Sequence, residues 1–458
     1  MLRAWQAACA DRAYQQYMAG QQHFLCLATP GAGKTIMAAE IAARLLSEKH
    51  IDAVLCFSPS VAIANGIRTT FSHRLNCSFS GGLGELGASL TYQSLAHFTD
   101  GLWQSLGKLR LLIVFDEIHH CAGGEEPNAW GSAIIARLQQ YARFTLALTG
   151  TPWRSNATPI ALAVYSKEGQ IHRDFTYGMA EAISDGFCRR PNIVLVDNDA
   201  LMLTRANGKK ESFESVSDFI EGSGVPYQAL LSSKSVMRHV LELASHRLRD
   251  IRQQSPDAAG LVVAASVQHA EIIAELLRRQ FKQESVVVTY RHDKAAETIE
   301  AFRHQSTPWI VSVGMISEGT DIPRLQVCCH LSRVKTELHF RQVLGRILRK
   351  RSEHDTDAWL YTLAESNLTR FAEQLAVDVP ECHLLFERQQ PHCDILDTSE
   401  GTLIKHRSLE KGSIDKWDTH GDVSIEQGTE SLTACSQAAL QELLVLGHFK
   451  QRVLAHFL

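Results

Sequence analysis

Short apolar runs alternate with longer amphipathic stretches from about residue 20 to about residue 365. HFLCLA (His23–Ala28), AVLCFS (Ala53–Ser58), LRLLIVF (Leu109–Phe115) and FTLALT (Phe144–Thr149) are nearly continuous in apolar character. LVVAAS (Leu261–Ser266), SVVVTY (Ser285–Tyr290), WIVSV (Trp309–Val313) and VCCHLS (Val327–Ser332) follow the same pattern. Runs of this length without polar alternation predict strands buried on both faces. Between them, TIMAAEIAARLL (Thr35–Leu46) and HAEIIAELLRRQF (His269–Phe281) repeat apolar residues at helical spacing. Strand–helix alternation predicts an α/β fold with parallel sheets and helices on both faces.

Composition shifts around Arg189–Pro191, and Asp197–Gly224 is polar and weakly periodic, as expected of an inter-lobe connection or insertion. The alternation stops after about Leu375, Ser399–Gly428 is polar, and SQAALQELLVLGHF (Ser436–Phe449) predicts a closing helix. The expected organisation is a lobe over 1–188, a second over 189–375 and a small extension over 376–458. A chain of 458 residues has room for two or three domains. No apolar stretch is long enough for a transmembrane helix, and MLRAWQAACADR lacks a signal-peptide core, which together predict a cytoplasmic protein with no membrane partner. Eleven cysteines, none in a CxxC pair, argue against a disulfide framework. The net charge of −4 does not itself point to nucleic acid, but a groove needs only local positive charge.

ATPGAGKT (Ala28–Thr35) follows a predicted strand and opens a predicted helix, the context a phosphate-binding loop requires. Gly31 and Gly33, with Ala32 between them, let backbone N–H groups turn inward around phosphate oxygens. Lys34 is expected to reach the β- and γ-phosphates of ATP, and Thr35 to hold Mg²⁺. Ala28 stands where the usual pattern begins with glycine. DEIH (Asp116–His119) ends the strand LRLLIVF and delivers two acids to the same sheet edge. Asp116 is the expected Mg²⁺ ligand, and Glu117 the group that orients and deprotonates a water.

Together these residues resemble the superfamily 2 helicases and translocases of the DExH/DEAD type. Leu2, Arg3, Trp5 and Gln6 resemble the upstream glutamine motif, which implies that Gln6 reads adenine. SPS (Ser58–Ser60) and LTYQSL (Leu90–Leu95) are similar to the strand-contacting motifs, which implies nucleic-acid contacts by Ser58, Pro59, Thr91, Tyr92 and Gln93. LTGTPWR (Leu148–Arg154) is similar to motif III, implying that Thr149 and Thr151, with His119, couple hydrolysis to strand contact. VGMISEGTDIP (Val313–Pro323) resembles motif V and places Glu318, Gly319 and Asp321 at the nucleotide. FRQVLGRILRK (Phe340–Lys350) resembles motif VI, with Gln342 reporting nucleotide state through His119 and Arg346 and Arg349 as arginine fingers. Arg346 and Arg349, three apart, are expected on one face of a helix. Tyr92 and Trp153 are candidate stacking platforms, though core packing is the commoner role of a single aromatic. TGTPWRSNATPI and DFTYGMAEAISDGF (Asp174–Phe187) are most similar to the type III restriction subunit-like branch.

The resemblance implies two RecA-like P-loop NTPase lobes and an ATP- and Mg²⁺-dependent hydrolase acting as helicase or translocase on nucleic acid, DNA ahead of RNA. The alternative is an ATP-dependent DNA clamp or sensor subunit of a restriction or phage-defence complex, without processive unwinding. No nuclease motif follows Leu375, so in such a pathway a separate nuclease or defence subunit would cut. Cys382, His383, His392 and Cys393 have poor spacing for one tetrahedral zinc.

Overall fold

The computed structural model describes residues 2–82, 84–121, 130–131, 134, 138–150, 159–167, 171–205, 207–291, 294–314, 322–351, 355–379, 382–387, 440–445 and 449–456. They separate into two compact units at the Cys188–Arg189 peptide.

The first unit holds β1 (His23–Ala28), β2 (Ala53–Ser58), β3 (Gly87–Thr91), β4 (Leu111–Phe115), β5 (Ala142–Thr149) and β6 (Phe175–Tyr177), in the order β3-β2-β4-β5-β1-β6. Every pair in this sheet is parallel. Helix α1 (Ala4–Met18) precedes β1; parallel neighbours need long crossovers, and helices α2 (Lys34–Ser47) and α3 (Val61–Leu75) are among them. Helix α2 buries Met37, Ala38, Ile41, Ala42 and Leu45, a stripe at three- and four-residue spacing. Phe57, Leu111, Ile113 and Phe115 form much of the core against Tyr92 and Trp103. The strand order puts β5 between β4 and β1, so the chain after β5 emerges between the phosphate loop and the DEIH acids.

In the second unit the strands are β7 (Arg190–Asn198), β8 (Leu201–Arg205), β9 (Lys210–Phe213), β10 (Ala259–Ala264), β11 (Ser285–Thr289), β12 (Trp309–Val313), β13 (Leu325–Leu331), β14 (Asp357–Leu363), β15 (Cys382–Glu387), β16 (Leu440–Val445) and β17 (Phe449–His456). The main sheet runs β11-β12-β10-β13-β14-β7-β17-β15, parallel from β11 to β7 and antiparallel beyond it. Strands β16, β8 and β9 make a small separate sheet. All eight expected strands are present, within a few residues at their ends. The polar stretch 197–224 carries β8, β9 and a short helix inside this unit, rather than joining the two.

The expected closing helix over Ser436–Phe449 is not formed. Its described residues are strand: β16 pairs with β8, and β17 inserts between β7 and β15. Leu440, Leu443 and Leu444 have helical spacing, but β7 and β8 offer rows of unpaired backbone groups. Satisfying those ladders outweighs a weak local preference. Cys382 and His383 lie on β15, whereas His392 and Cys393 fall outside the described residues. No helix among the described residues is long and apolar enough to cross a membrane.

Truncation after residue 435 should leave β7 an open edge. The expected outcome is a lower unfolding temperature and concentration-dependent aggregation, read by calorimetry and light scattering. An unchanged, monodisperse melt would contradict the role given to β17.

Candidate active site

The phosphate loop is shaped from outside by the start of α1. Gly31 and Gly33 have φ of 83° and 95°, values that favour glycine. Arg3 Nη1 donates to the Ala32 carbonyl at 2.8 Å, and Gln6 Nε2 donates to the Gly33 carbonyl at 3.0 Å. In a trans peptide the C=O and the next N–H point opposite ways. Pulling these two carbonyls outward therefore turns the Gly33 and Lys34 amides toward the loop interior. Gln6 is itself oriented by accepting from the Arg3 backbone N–H at 2.9 Å, and it is almost wholly buried. A Cβ on Gly33 would lie 2.6 Å from Gln6 Nε2, so glycine is required there twice over. Arg3 is held over the Phe187 ring at 4.0 Å, and Trp5 stacks on Tyr177 at 4.6 Å. Residues 174–188 thus form the wall behind this grip.

Lys34 starts α2, with Gly33 as its N-cap. Its Nζ donates to the Ala28 carbonyl at 3.1 Å and lies 3.4 Å from Glu117 Oε1. Glu117 Oε2 accepts from the Gly150 N–H at 3.3 Å and lies 3.4 Å from His119 Nδ1. The same His119 nitrogen is 3.0 Å from Thr149 Oγ1 at the end of β5. The strand order explains this chain, because β5 separates β1 from β4. Glu117 has φ 50° and ψ 51°, a left-handed conformation that costs a non-glycine residue about 1–3 kcal/mol. It turns consecutive side chains to different surroundings.

The two acids are accordingly in opposite electrostatic states. Asp116 is buried, and its Oδ1 accepts no hydrogen bond from any described residue. Burial first, and the neighbouring Glu117 charge second, push its carboxyl up to about 7. Burial also acts to raise Glu117, but Lys34, His119 and the Gly150 N–H outweigh it and hold the carboxyl at about 2. A buried carboxylate oxygen without a donor suits a divalent cation, and Thr35 supplies a half-buried hydroxyl in the first turn of α2. The residues present therefore fit Mg²⁺.

Three of the expected strand-contacting residues are placed otherwise. Tyr92 is fully buried, stacks with Phe57 and Trp130, and donates its hydroxyl to the Asp116 carbonyl at 2.8 Å. It supports the acid loop from beneath and has no face for a base. Ser58 is fully buried and donates to the Ser60 and Leu90 carbonyls, and Pro59 is buried too. Thr91 and Gln93 remain partly exposed, with Gln93 Nε2 reaching the Pro59 carbonyl at 3.5 Å. Thr151, Trp153, Glu318, Gly319 and Asp321 lie outside the described residues.

Motif VI in the second unit is the helix Glu337–Ile347, capped by the Thr336 side chain accepting from the His339 N–H. Phe340, Val343, Leu344 and Ile347 form its buried stripe, and Gln342 and Arg346 are partly exposed. Arg349 does not share that helix. Leu348 is the C-cap, and Arg349 follows it, partly exposed. The helix stops because the Arg189 side chain and backbone N–H take the Ile347 and Leu348 carbonyls. Sequence reading gave Arg189 no role, and Gly150, Tyr177 and Phe187 lie inside the quoted runs LTGTPWR and DFTYGMAEAISDGF without an individual role.

The type III restriction enzyme res subunit family model matches residues 1–154, and the helicase conserved C-terminal domain model matches residues 241–351. An uncharacterised protein of Mycobacterium leprae is 32% identical over 418 residues, covering 87% of this chain and 67% of that one. The DNA 3′-5′ translocase XPB2 of Sulfurisphaera tokodaii is 25% identical over 366 residues, 70% of this chain and 74% of the relative. A solved fragment described as the HsdR subunit of a type I restriction enzyme from Vibrio vulnificus superposes with a TM-score of 0.53 at 17% identity, covering 81% of this chain and 65% of that one. This last likeness is one of fold, with two RecA-like lobes and parallel sheets. The chain belongs to the superfamily 2 helicases and translocases, in the branch related to the type III restriction res subunit.

Proposed function

We propose that the protein is a nucleic-acid-dependent ATPase that moves along DNA as a helicase or translocase. The observation that carries this reading is the split acid pair beside the phosphate loop. Asp116 keeps a buried Oδ1 with no donor among the described residues, and Glu117 is held ionised by Lys34. Phosphate oxygens of ATP would replace Ala28 and Glu117 as partners of Lys34. Glu117 then loses its largest opposing charge and becomes more basic while a water lies against it. Asp116 and Thr35 would hold Mg²⁺, which would neutralise charge on the phosphate oxygens. Gln6, whose amide also shapes the loop, reads adenine. Arg346 and Arg349 stabilise the charge that develops on the γ-phosphoryl group, with Glu318, Gly319 and Asp321 at the nucleotide. The His119–Thr149 hydrogen bond links Glu117 to the segment carrying Thr151.

Thr91 and Gln93 are the residues we assign to strand contact, through phosphates and without sequence readout. Binding of this kind weakens steeply with salt. The similarity to a DNA translocase supports DNA as the track.

The direct test is steady-state ATP hydrolysis without polynucleotide and with single-stranded DNA, duplex DNA or single-stranded RNA. DNA should stimulate most. Flat turnover across all four conditions would overturn the reading. Lys34→Ala and Glu117→Gln should each lower stimulated kcat by about 10²–10³-fold. Arg346→Ala should cost about 10³-fold or more while ATP still binds, as fluorescent-nucleotide titration would read.

The raised Asp116 carboxyl gives a signed pH dependence. Its folded value of about 7 exceeds the ordinary 3.8, so the folded state holds the extra proton between those values. Stability from this group is therefore full below about pH 4 and is lost as pH rises through 7. Asp116→Asn should raise the melting temperature of the nucleotide-free protein by several degrees at pH 8, at about 2–4 °C per kcal/mol. The gain should shrink as pH falls toward 4, and the variant should lack Mg·ATP turnover. A pH-independent change in melting temperature would rule out this account of Asp116.

A further inference from the structure

Arg189, the first residue of the second unit, is completely buried. A guanidinium has five N–H donors in a rigid plane, and this one has five acceptors. Nε donates to Asp355 Oδ1 at 2.6 Å and Nη2 to Asp355 Oδ2 at 2.5 Å, which neutralises the charge with a two-point pair. The other three donors go to main-chain carbonyls. Nη2 reaches Pro323 at 2.7 Å, and Nη1 reaches both Leu325 and Ile347 at 2.6 Å. The Arg189 backbone N–H adds the Leu348 carbonyl at 2.8 Å. Asp355 is held in turn by the Arg351 N–H at 3.3 Å.

Those carbonyls belong to two segments with a common task. Pro323 and Leu325 are where the chain leaves the motif V stretch and enters β13. Ile347 and Leu348 end the motif VI helix, and both stand between Arg346 and Arg349 in the chain. Its C-cap is Leu348 and no glycine follows it, so the orphan carbonyls need an outside donor. A cation at this C-terminus is also favoured by the helix dipole. One rigid plane thus sets the spacing between the end of motif V and the end of motif VI. With the Arg189 backbone N–H it holds the Ile347–Leu348 and Leu348–Arg349 peptides, the stretch of chain between the two finger arginines.

We propose that Arg189 is a positioning residue for Arg346 and Arg349, locking the end of motif VI to the end of motif V. The proposal rests on the reading of those two arginines as the groups that meet the γ-phosphoryl group. Lysine at 189 keeps the charge for Asp355 but is a point donor that cannot span the three carbonyls. Arg189→Lys is therefore the informative variant, since alanine would leave Asp355 buried and unpaired and the unit could fail to fold.

Two measurements on the full chain test it. In the first, Arg189→Lys should lower DNA-stimulated kcat on the order of 10- to 100-fold, as expected for a displacement near 1 Å, with KM for ATP little changed. In an Arg346→Ala, Arg349→Ala background it should cost nothing further, because what it positions is gone. A loss of the same factor in both backgrounds would reduce Arg189 to a structural residue and overturn the proposal. In the second, hydrogen exchange followed by mass spectrometry should show faster exchange in Arg189→Lys for 322–331 and 340–351. The helix Val267–Arg279 of the same unit should be unaffected. Unchanged exchange at the two segments, or a rise throughout the unit, would refute the lock. Exchange needs no turnover. A wild-type protein silent with every polynucleotide would therefore count against the ATPase reading alone, leaving the lock to be decided by exchange.

Discussion

Two adjacent carboxylates at a sheet edge with little water cannot both be ionised without compensation, and the first unit is arranged around that constraint. The left-handed backbone at Glu117 sends the two side chains different ways. One meets Lys34, His119 and the Gly150 N–H, and the other keeps a buried Oδ1 that no described residue donates to. The resulting charge asymmetry is what a site needs in which one acid holds a metal and its neighbour takes a proton. The cost is a strained residue and a buried carboxyl, both tolerated at functional sites more often than elsewhere.

The surrounding structure supplies this arrangement through strand order more than through any single bond. With β5 between β1 and β4, three chain segments must converge on the same edge. The phosphate loop, the acids and the Thr149–Gly150 segment are therefore neighbours by topology. Local bonds then refine their positions. Arg3 and Gln6 pull the loop carbonyls outward, and the Tyr92 hydroxyl props the Asp116 carbonyl from below.

The second unit uses a different device for a similar purpose. A helix carrying Arg346 ends with no glycine at its C-cap, and a buried arginine from a distant position in the chain takes the Ile347 carbonyl with its guanidinium and the Leu348 carbonyl with its backbone N–H. That guanidinium also grips the segment before β13, so two functional stretches share one anchor. Under the proposed function, rigid support of this kind would keep Arg346 within the tolerance that phosphoryl transfer demands.

Much of this was legible in the order of residues. Continuous apolar runs marked eight strands, because a strand buried on both faces has little freedom to be polar. The Gly-Lys-Thr and Asp-Glu-Ile-His runs marked the site, because phosphate and metal chemistry restricts residue type strongly at fixed spacing. What the sequence alone could not determine depends on partners distant in the chain. Tyr92 and Ser58 carry polar groups that suit a nucleic-acid contact, and only packing revealed that both face inward. Leu440–Val445 has helical spacing, but the open edge of β8 required a strand. Arg189 sits in no motif, and its acceptors at 323, 325, 347 and 355 come together only when the sheet forms. Sequence records local periodicity and residue chemistry, whereas burial and long-range hydrogen bonds are properties of the folded chain.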